Sequence, residues 1–435
     1  MKNYKYLLLG LLTMSLAACS NSTKTEDYMM GLEGGGDAGY PEAFAPGEGG
    51  YAGKGGSGAT ATDLDAGEDG DYGDVDEEPQ QNTQIPAGQL TCSALNDNLF
   101  YDYWKELTSV DQSGQKEEYG PFYNYREDIK DSFVTYNRVK LTVNNANDIY
   151  VTLKNEKKVF HVDNFHNAYL FPKEAADKYD VTISYLDKDG KRKSVDKTVQ
   201  NNDEIDLENE FTAANNLEIM FVIDATGSMG DEMEYIKSEI DDVIGKVKTD
   251  NPNTKVSLAM MVYRDIGDDY VTRYSDWTQD VTKQQNFLKK QVASGGGDFP
   301  EAVDQALKEA VSKQWSSNAT KLLFFVADAP AHDENISKWS DAATKAAEKG
   351  IQIMTVAASG INQKTEYLFR SQSLITGGEY IFLTDHSGIG GSHEKPTISE
   401  ELVVEYLNDC LIRVIDSYHQ GKVISPTPYS QVEKQ

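Results

Sequence analysis

The sequence predicts several domains: a disordered N-terminal segment, a small β-sandwich and a C-terminal α/β domain with a doubly wound sheet. Two observations lead to this fold class. After residue 216, short and nearly all-apolar runs alternate with stretches whose apolar residues recur every three or four positions, as strands and helices do in a doubly wound sheet. Between residues 20 and 88, glycine and acidic residues replace any apolar periodicity.

The composition limits both the folded length and the choice of partners. The chain has 435 residues, of which 71 are acidic and 41 basic, and its formal net charge is -30. Its length fits two or three domains of about 150 residues each. With only 39% hydrophobic residues, part of this length is expected to be unfolded. So acidic a chain repels phosphate backbones, which argues against nucleic acid as a partner and favours cations.

Residues 1–18 resemble the signal peptide of bacterial lipoproteins. Lys2 and Lys5 supply positive charge, residues 7–16 are apolar but too short to span a bilayer, and small residues precede Cys19. The resemblance implies cleavage before Cys19 and a diacylglyceryl group on its thiol. The mature chain would then contact the membrane through its lipid alone. An ordinary secretory signal with a chance cysteine is the alternative.

Cys92 and Cys410 are the two remaining cysteines, and they lie far apart in the sequence. A disulfide between them is compatible with a location outside the cytoplasm. Cys410, however, belongs to the apolar stripe of a predicted helix, where cysteine serves as a small hydrophobic residue. The sequence therefore favours two separate, unpaired cysteines.

Residues 19–89 predict a flexible acidic tether. Glycine tracts alternate with acidic residues, which become dense between Asp69 and Glu78. Such a stretch cannot bury enough apolar surface to offset the conformational entropy lost on folding. A coil of about 70 residues spans roughly 45 Å, enough to hold a folded domain clear of a membrane. A calcium-binding or cationic docking role for the acidic run is the alternative.

The next two segments predict a connector and a small β-domain. Residues 90–132 are expected to be helical or irregular, with an amphipathic helix over Leu90–Leu107. Residues 133–210 alternate apolar and polar positions between turn signals, which predicts short antiparallel strands in a β-sandwich. Through the segment Asn167–Pro172, this part resembles prealbumin-like or carboxypeptidase-regulatory-like sandwiches of surface proteins. The interpretation favoured for it is a spacer or stabilising domain without a ligand.

A candidate metal site follows the first strand of the C-terminal domain. The apolar run Leu217–Ile223 predicts a central parallel strand that is covered on both faces. Asp224, Thr226 and Ser228 come directly after it and precede a helix with a 3.6-residue apolar stripe. Open α/β sheets bind their ligands at the carboxyl ends of strands. The spacing of two brings the three oxygen-bearing side chains round a tight turn, where they can converge on one hard cation.

This Asp-x-Thr-x-Ser motif resembles the first element of the metal-ion-dependent adhesion site of von Willebrand factor A (VWA) domains. Two further elements follow in the family's order: the loop Gly295–Glu301 and a buried strand that ends in Asp328. The resemblance covers residues 216–422 and leaves 423–435 as a flexible tail. It implies a doubly wound, Rossmann-like domain with one Mg2+ or Ca2+ ion. The implied ligands of this ion are Asp224, Thr226, Ser228, Asp298 and Asp328.

The loop departs from the family at one position, since Asp298 stands where a threonine is usual. Three carboxylates would overcompensate a divalent charge. We therefore expect tighter metal binding without a partner, and a weaker preference for an acidic partner, than in adhesion members of the family. Asp265 and His332 are placed at the rim of this site, with Asp265 as a solvated loop acid and His332 as a support for Asp328.

The sequence as a whole predicts a lipid-anchored protein of the bacterial envelope, at the outer membrane or cell surface. Its metal-dependent VWA domain would bind a protein ligand that supplies a carboxylate to the ion. No catalytic residues are expected, because Ser228 lacks the first glycine of a Gly-x-Ser-x-Gly elbow and no zinc-protease or P-loop motif occurs. The alternatives are a metal-dependent hydrolase that uses the aspartates and His332, and a purely structural envelope protein.

Overall fold

The computed structural model describes residues 85–111, 118–129, 132–209, 211, 215–398 and 401–431. The predicted signal peptide, the lipid attachment site Cys19 and nearly all of the predicted tether lie outside these residues. Within the described ranges, no helix combines the length and the apolar character that crossing a bilayer requires.

Strands and helices alternate through most of the described chain. Its strands are β1 (Thr91–Leu95), β2 (Val110–Asp111), β3 (Glu118–Tyr119), β4 (Val139–Asn144), β5 (Asn147–Leu153), β6 (Lys158–His161), β7 (Asn167–Leu170), β8 (Tyr179–Leu186), β9 (Arg192–Val199), β10 (Asp203–Asp206), β11 (Asn216–Asp224), β12 (Lys255–Tyr263), β13 (Thr272–Thr278), β14 (Thr320–Ala327), β15 (Ile351–Ala357), β16 (Tyr380–Leu383) and β17 (Glu405–Tyr406). Its α-helices are α1 (Tyr101–Thr108), α2 (Tyr123–Ile129), α3 (Met233–Asp250), α4 (Val281–Lys289), α5 (Val303–Ser312), α6 (Ile336–Glu348), α7 (Gln363–Thr376) and α8 (Leu407–Gln420).

A mixed sheet of eight strands, in the order β13-β12-β11-β14-β15-β16-β1-β17, forms the centre of the C-terminal half. The strands β12, β11, β14, β15 and β16 run parallel to one another. At the two sides, β13 pairs antiparallel with β12, β1 with β16, and β17 with β1. Alternate residues of β11 belong to two separate hydrophobic clusters. Met220 lies in one cluster with residues of α5, α6 and α7, and Phe221 lies in the other with residues of α3 and α8. Helices therefore cover both faces, as the apolar runs predicted.

The segment Leu90–Leu107 differs from its prediction as one amphipathic helix. Thr91–Leu95 form β1, which pairs with β16 and β17, and α1 begins only at Tyr101. The periodicity of a short apolar run does not distinguish a strand from a buried helical turn. The strands that pair with β1 lie near the other end of the chain, so the local sequence does not reveal them. The sheet thus takes one strand from the segment that was predicted to be a connector.

The region between the connector and β11 forms two small sheets, in the orders β10-β4-β7 and β6-β5-β8-β9. Alternate residues of β4 and β5 are buried and share one hydrophobic cluster, as expected for strands with one covered face. The pairing of β10 with β4 is parallel, whereas antiparallel strands were predicted. The chain returns to β4 from the other sheet, so that β10 enters in the same direction as β4.

The chain after α8 contacts the edge of the large sheet. The backbone N–H of Thr427 donates to Glu405 Oε1 at 3.0 Å, and that of Tyr429 donates to the Val404 carbonyl at 2.9 Å. These bonds hold part of the segment 423–435, which the sequence predicted to be a flexible tail. Residues 432–435 lie outside the described part.

A buried arginine ties the segment after β1 to helix α7. The guanidinium of Arg370 is fully buried and donates to Asp97 Oδ1 at 2.6 Å and to Glu366 Oε1 at 2.8 Å. It also donates to the Thr397 carbonyl at 2.9 Å. Taking these charges out of water costs free energy that only their mutual pairing offsets. The triad therefore commits the chain to one arrangement of β1 and α7.

Replacing this arginine tests the role of the triad. Arg370→Met leaves two buried carboxylates without a counter-charge, so we expect the free energy of unfolding to fall by about 3–5 kcal/mol in urea denaturation followed by circular dichroism. Lys345→Met is the matched control, because Lys345 pairs with Glu348 on the surface and should change stability by less than about 0.5 kcal/mol. A variant of Arg370 as stable as the control would show that the triad does not hold the fold.

Candidate metal centre

Two adjacent parallel strands deliver two aspartates to one edge of the sheet. β11 ends at Asp224, and β14 ends one residue before Asp328. The two strands pair in parallel as far as Ile223 and Val326, so their carboxyl ends meet at the same edge. Asp224 is fully buried and Asp328 is 3% exposed. The structure thus brings together the two strand-end acids that the sequence singled out.

The turn after β11 places two hydroxyl groups beside these acids. Thr226 donates to Asp224 Oδ1 from its hydroxyl at 2.7 Å and from its backbone N–H at 2.9 Å. The hydroxyl oxygens of Thr226 and Ser228 are 3.2 Å apart. Ser228 is exposed, and its hydroxyl hydrogen-bonds Asp328. The spacing of two therefore brings Asp224, Thr226 and Ser228 round one tight turn, and Ser228 links that turn to the second strand.

Glu301 joins this cluster, although the sequence did not single it out. It is 3% exposed, and its backbone N–H donates to the Pro330 carbonyl at 2.9 Å, which ties the loop before α5 to the segment after Asp328. Gly296 has φ of +74°, and a Cβ there would lie 2.9 Å from Glu301 Oε1. Glycine thus allows the carboxylate to approach. An acid at the start of a helix is commonplace, so the sequence carried no distinct signal for it.

The three buried carboxylates are incompletely satisfied. Asp224 Oδ2, Asp328 Oδ1 and Glu301 Oε2 have no hydrogen-bond partner. Burial and the neighbouring acids raise the pKa of Asp224 to about 7 and that of Glu301 to about 9. Burial also raises the pKa of Asp328 to about 6. Buried anionic oxygens are normally paired or bound to a cation, so this cluster fits a divalent ion with oxygen ligands, such as Mg2+ or Ca2+.

Asp298 lies with the two residues that the sequence placed at the rim of the site. Its side chain is exposed, and its ligand atom lies within 4.8 Å of those of Asp265 and His332. Among the described residues, this trio is the only group of three or more acidic, cysteine or histidine side chains whose ligand atoms all lie within 4.8 Å of one another. By the same measure, Asp224 and Asp328 form such a group with neither Asp298 nor Glu301. The loop turns so that Asp298 faces solvent and Glu301 points inward.

His332 also has a different partner from the predicted one. The sequence placed it in support of Asp328, but its Nε2 lies 3.1 Å from Asp265 Oδ1. Burial opposes protonation of His332, yet the hydrogen bond and charge of Asp265 outweigh burial and raise the pKa of His332. Asp265 is only 8% exposed and has His332 as a hydrogen-bond partner. It is therefore a buried acid, whereas the sequence predicted a solvated one.

Hydrogen bonds between loops hold the rim of the site in place. Asp268 Oδ2 accepts from the backbone N–H of Gly296 at 2.8 Å. Arg264 donates from Nε to the Ala225 carbonyl at 3.0 Å and from Nη2 to the Val292 carbonyl at 2.9 Å. Three loops are thereby joined around the two strand ends. A rigid frame of this kind preorganises ligands for an ion.

Comparison with known proteins assigns the C-terminal half to a class. Residues 218–388 match the family model of the von Willebrand factor A domain, so this part of the chain is a VWA domain. Alpha-protein kinase vwkA of Dictyostelium discoideum is 26% identical over 212 residues, which cover 48% of this chain and 33% of that protein. An ariadne-like RING finger protein of Acanthamoeba polyphaga mimivirus is 26% identical over 188 residues, which cover 38% of this chain and 18% of that protein. The chain thus matches a third or less of these relatives' lengths.

One solved structure that matches part of this chain is that of BatB from Bacteroides thetaiotaomicron. It is 17% identical in sequence and superposes with a TM-score of 0.30. The match covers 38% of this chain and 89% of that one.

The raised carboxyl pKa values predict how the metal-free protein responds to pH. A carboxyl whose pKa is higher when folded favours folding below its unfolded pKa of about 4 and loses that contribution as the pH rises through the folded pKa. In EDTA, we expect the melting temperature to fall between about pH 4 and pH 9. Mg2+ or Ca2+ should restore much of it at pH 8, as measured by scanning calorimetry.

A neutral isostere separates this effect from the general acidity of the chain. Asp224→Asn should melt at a higher temperature than wild type in EDTA at pH 8 and should show no metal-induced increase. Asp189→Asn, on an exposed turn, is the matched control and should behave as wild type. An increase on metal addition as large in Asp224→Asn as in wild type would rule out Asp224 as a ligand.

Proposed function

We propose that this is a lipid-anchored protein of the bacterial envelope that captures a protein partner through one divalent cation on its VWA domain. The observation that carries the proposal is the set of unpartnered carboxylate oxygens where two parallel strands end. Glu301 takes the place that the sequence analysis assigned to Asp298. The proposed ligands of the cation are Asp224, Thr226, Ser228, Glu301 and Asp328. When bound, the cation would offer a coordination position to a carboxylate of the partner.

The surroundings of the cluster support binding more than hydrolysis. A metal hydrolase would need a base beside the metal-bound water. His332 is the histidine nearest in sequence to Asp328, and its imidazole is engaged by Asp265, which favours the protonated form. The hydroxyl groups of Thr226 and Ser228 are suited to coordination, and no base is assigned to either of them. We therefore propose a binding protein without enzymatic activity.

The rim of the site supports a protein as the partner. Three large apolar side chains are exposed on the loops around the cluster: Ile266 by 57%, Val292 by 58% and Phe299 by 41%. Exposed apolar side chains beside a polar site are typical of protein-binding surfaces. Asp231 and Asp298 are exposed on neighbouring segments, so the rim repels an acidic partner unless a cation is present. The rim therefore accounts for a requirement for metal.

The location at the envelope rests on the sequence of residues 1–19. A lipid on Cys19 and a tether of flexible composition would let the domain reach a partner away from the membrane surface. The acidic run of the tether then acts as a solvated spacer. Localisation by fractionation, with Cys19→Ser as the unlipidated variant, tests this part of the proposal separately from metal binding.

Metal titration distinguishes Glu301 from Asp298 as the third acidic ligand. Glu301→Gln removes a buried charge from the cluster, so we expect at least an about tenfold loss of Mg2+ or Ca2+ affinity by isothermal titration calorimetry. Asp298→Thr, which restores the residue usual in the family, should change the affinity less than Glu301→Gln does. The opposite order of the two variants would return the ligand role to Asp298.

Partner capture tests the function itself. Wild-type protein on a solid support should retain an envelope protein in Mg2+, and EDTA should release it. Asp224→Ala should retain none, because the cation is lost. Phe299→Ala should bind metal as wild type but retain less partner, since it removes only an exposed apolar contact. Equal capture by wild type and Asp224→Ala, in Mg2+ and in EDTA, would leave a structural role as the better account.

A further inference from the structure

The structure brings Cys92 and Cys410 together, although they lie near opposite ends of the described chain. Cys92 is on β1 and Cys410 is on α8, and both are fully buried in the same hydrophobic cluster. The backbone N–H of Leu407 donates to the Leu90 carbonyl at 2.9 Å, which fixes the start of α8 against the start of β1. The sequence analysis had favoured two separate cysteines because no local pattern links these two segments.

The contacts around Cys410 lead directly to Cys92. Arg413 donates from Nη2 to Cys410 Sγ at 3.5 Å and to Glu405 Oε2 at 2.7 Å. Glu405 is the residue that faces Cys92 in the pairing of β1 with β17. Burial, and after it the nearby Cys410 thiol, raises the pKa of the Cys92 thiol. Both sulfur atoms are free thiols in this structure.

We infer that Cys92 and Cys410 form a disulfide that joins the first strand of the sheet to the last helix. Its formation rests on the envelope location of the proposed function, since such compartments sustain disulfides. Each thiol loses one proton and one electron, and the two sulfur atoms become bonded. The electron acceptor is a disulfide, either of a small molecule or of a protein oxidant, which is reduced to two thiols by exchange. Because both cysteines are buried in the folded state, exchange takes place while the chain folds.

The disulfide has a mechanical consequence for an anchored domain. The predicted tether leads into β1, so a pull between the membrane and a bound partner acts on β1 first. Without the disulfide, the hydrogen bonds of β1 to β16 and β17 resist this pull. With it, the pull is shared with α8, which packs in the same cluster as α3, the helix after the metal-binding turn. The bond would therefore connect the anchored end of the chain covalently to the helix layer beneath the site.

The full chain carrying Cys19→Ser tests the disulfide, because Cys92 and Cys410 are then its only cysteines. After refolding in oxidised glutathione, peptide mass spectrometry without reduction should find the two cysteine peptides linked and two hydrogen masses lighter than their sum. Reduction should lower the melting temperature by at least about 5 °C. Cys92→Ala and Cys410→Ala, each made in the same chain, should lose the redox dependence of the melting temperature.

A measurement in cells separates this inference from the proposed function. Protein from its native envelope that is denatured without reductant in the presence of an alkylating reagent at harvest should show no modification at either cysteine. Alkylation of both thiols there, or their failure to link on refolding of a chain that still gains stability from Mg2+, would overturn the disulfide. A linked pair in protein that captures no partner would keep the disulfide and refute the proposed function. A variant Cys92→Ala that keeps the Mg2+-induced stabilisation shows that folding has survived the substitution.

Discussion

Like charges buried at the ends of two adjacent parallel strands are the constraint on which the site depends. Parallel pairing of β11 with β14 brings Asp224 and Asp328 to the same edge of the sheet, where burial and the charge of Asp328 raise the pKa of Asp224. Keeping both charged costs free energy in the absence of a cation. Thr226 offsets part of this cost by donating two hydrogen bonds to Asp224. The rest of this free-energy cost has to be offset by the apolar packing on both faces of the sheet.

The chain treats its buried acids in two different ways. Asp97 and Glu366 are paired with Arg370, and Glu405 is paired with Arg413, so these acids serve the fold. Asp224, Glu301 and Asp328 each keep an unpartnered oxygen, although arginines are used elsewhere in the same core. A group of acids that receives no counter-charge from the protein is suited to bind one from solution. The contrast within one chain strengthens the assignment of the cluster to a cation.

Both ends of the described chain contribute to the large sheet, so segments from its two ends lie side by side there. β1 lies between β16 and β17, and α8 packs with α3 and β1. The buried triad of Arg370 fixes the chain just after β1, and Cys92 within β1 shares a hydrophobic cluster with Cys410 of α8. The segment that follows the predicted tether is therefore an integral part of the VWA sheet.

The amino-acid pattern by itself determined the buried strands β11 and β14, the helix α3 and the turn after β11, because each depends on residues close in sequence. Asp224, Thr226, Ser228 and Asp328 follow buried runs, so their places at the sheet edge could be predicted. Which acid of a glycine-rich loop turns inward could not, because that choice depends on contacts of Gly296 with Asp268 and of Glu301 with Pro330. Only the tertiary structure therefore showed that Glu301 is buried and that Asp298 is exposed.

The same reason applies to the other corrections. The pairing of His332 with Asp265, the insertion of β1 into the sheet and the meeting of Cys92 with Cys410 all join segments that are distant in the chain. Hydrophobic period and motif spacing describe neighbours along the backbone, and they contain no information on which distant segment arrives beside them. The sequence thus determined which residues reach the edge of the sheet, and packing decided which of them face one another.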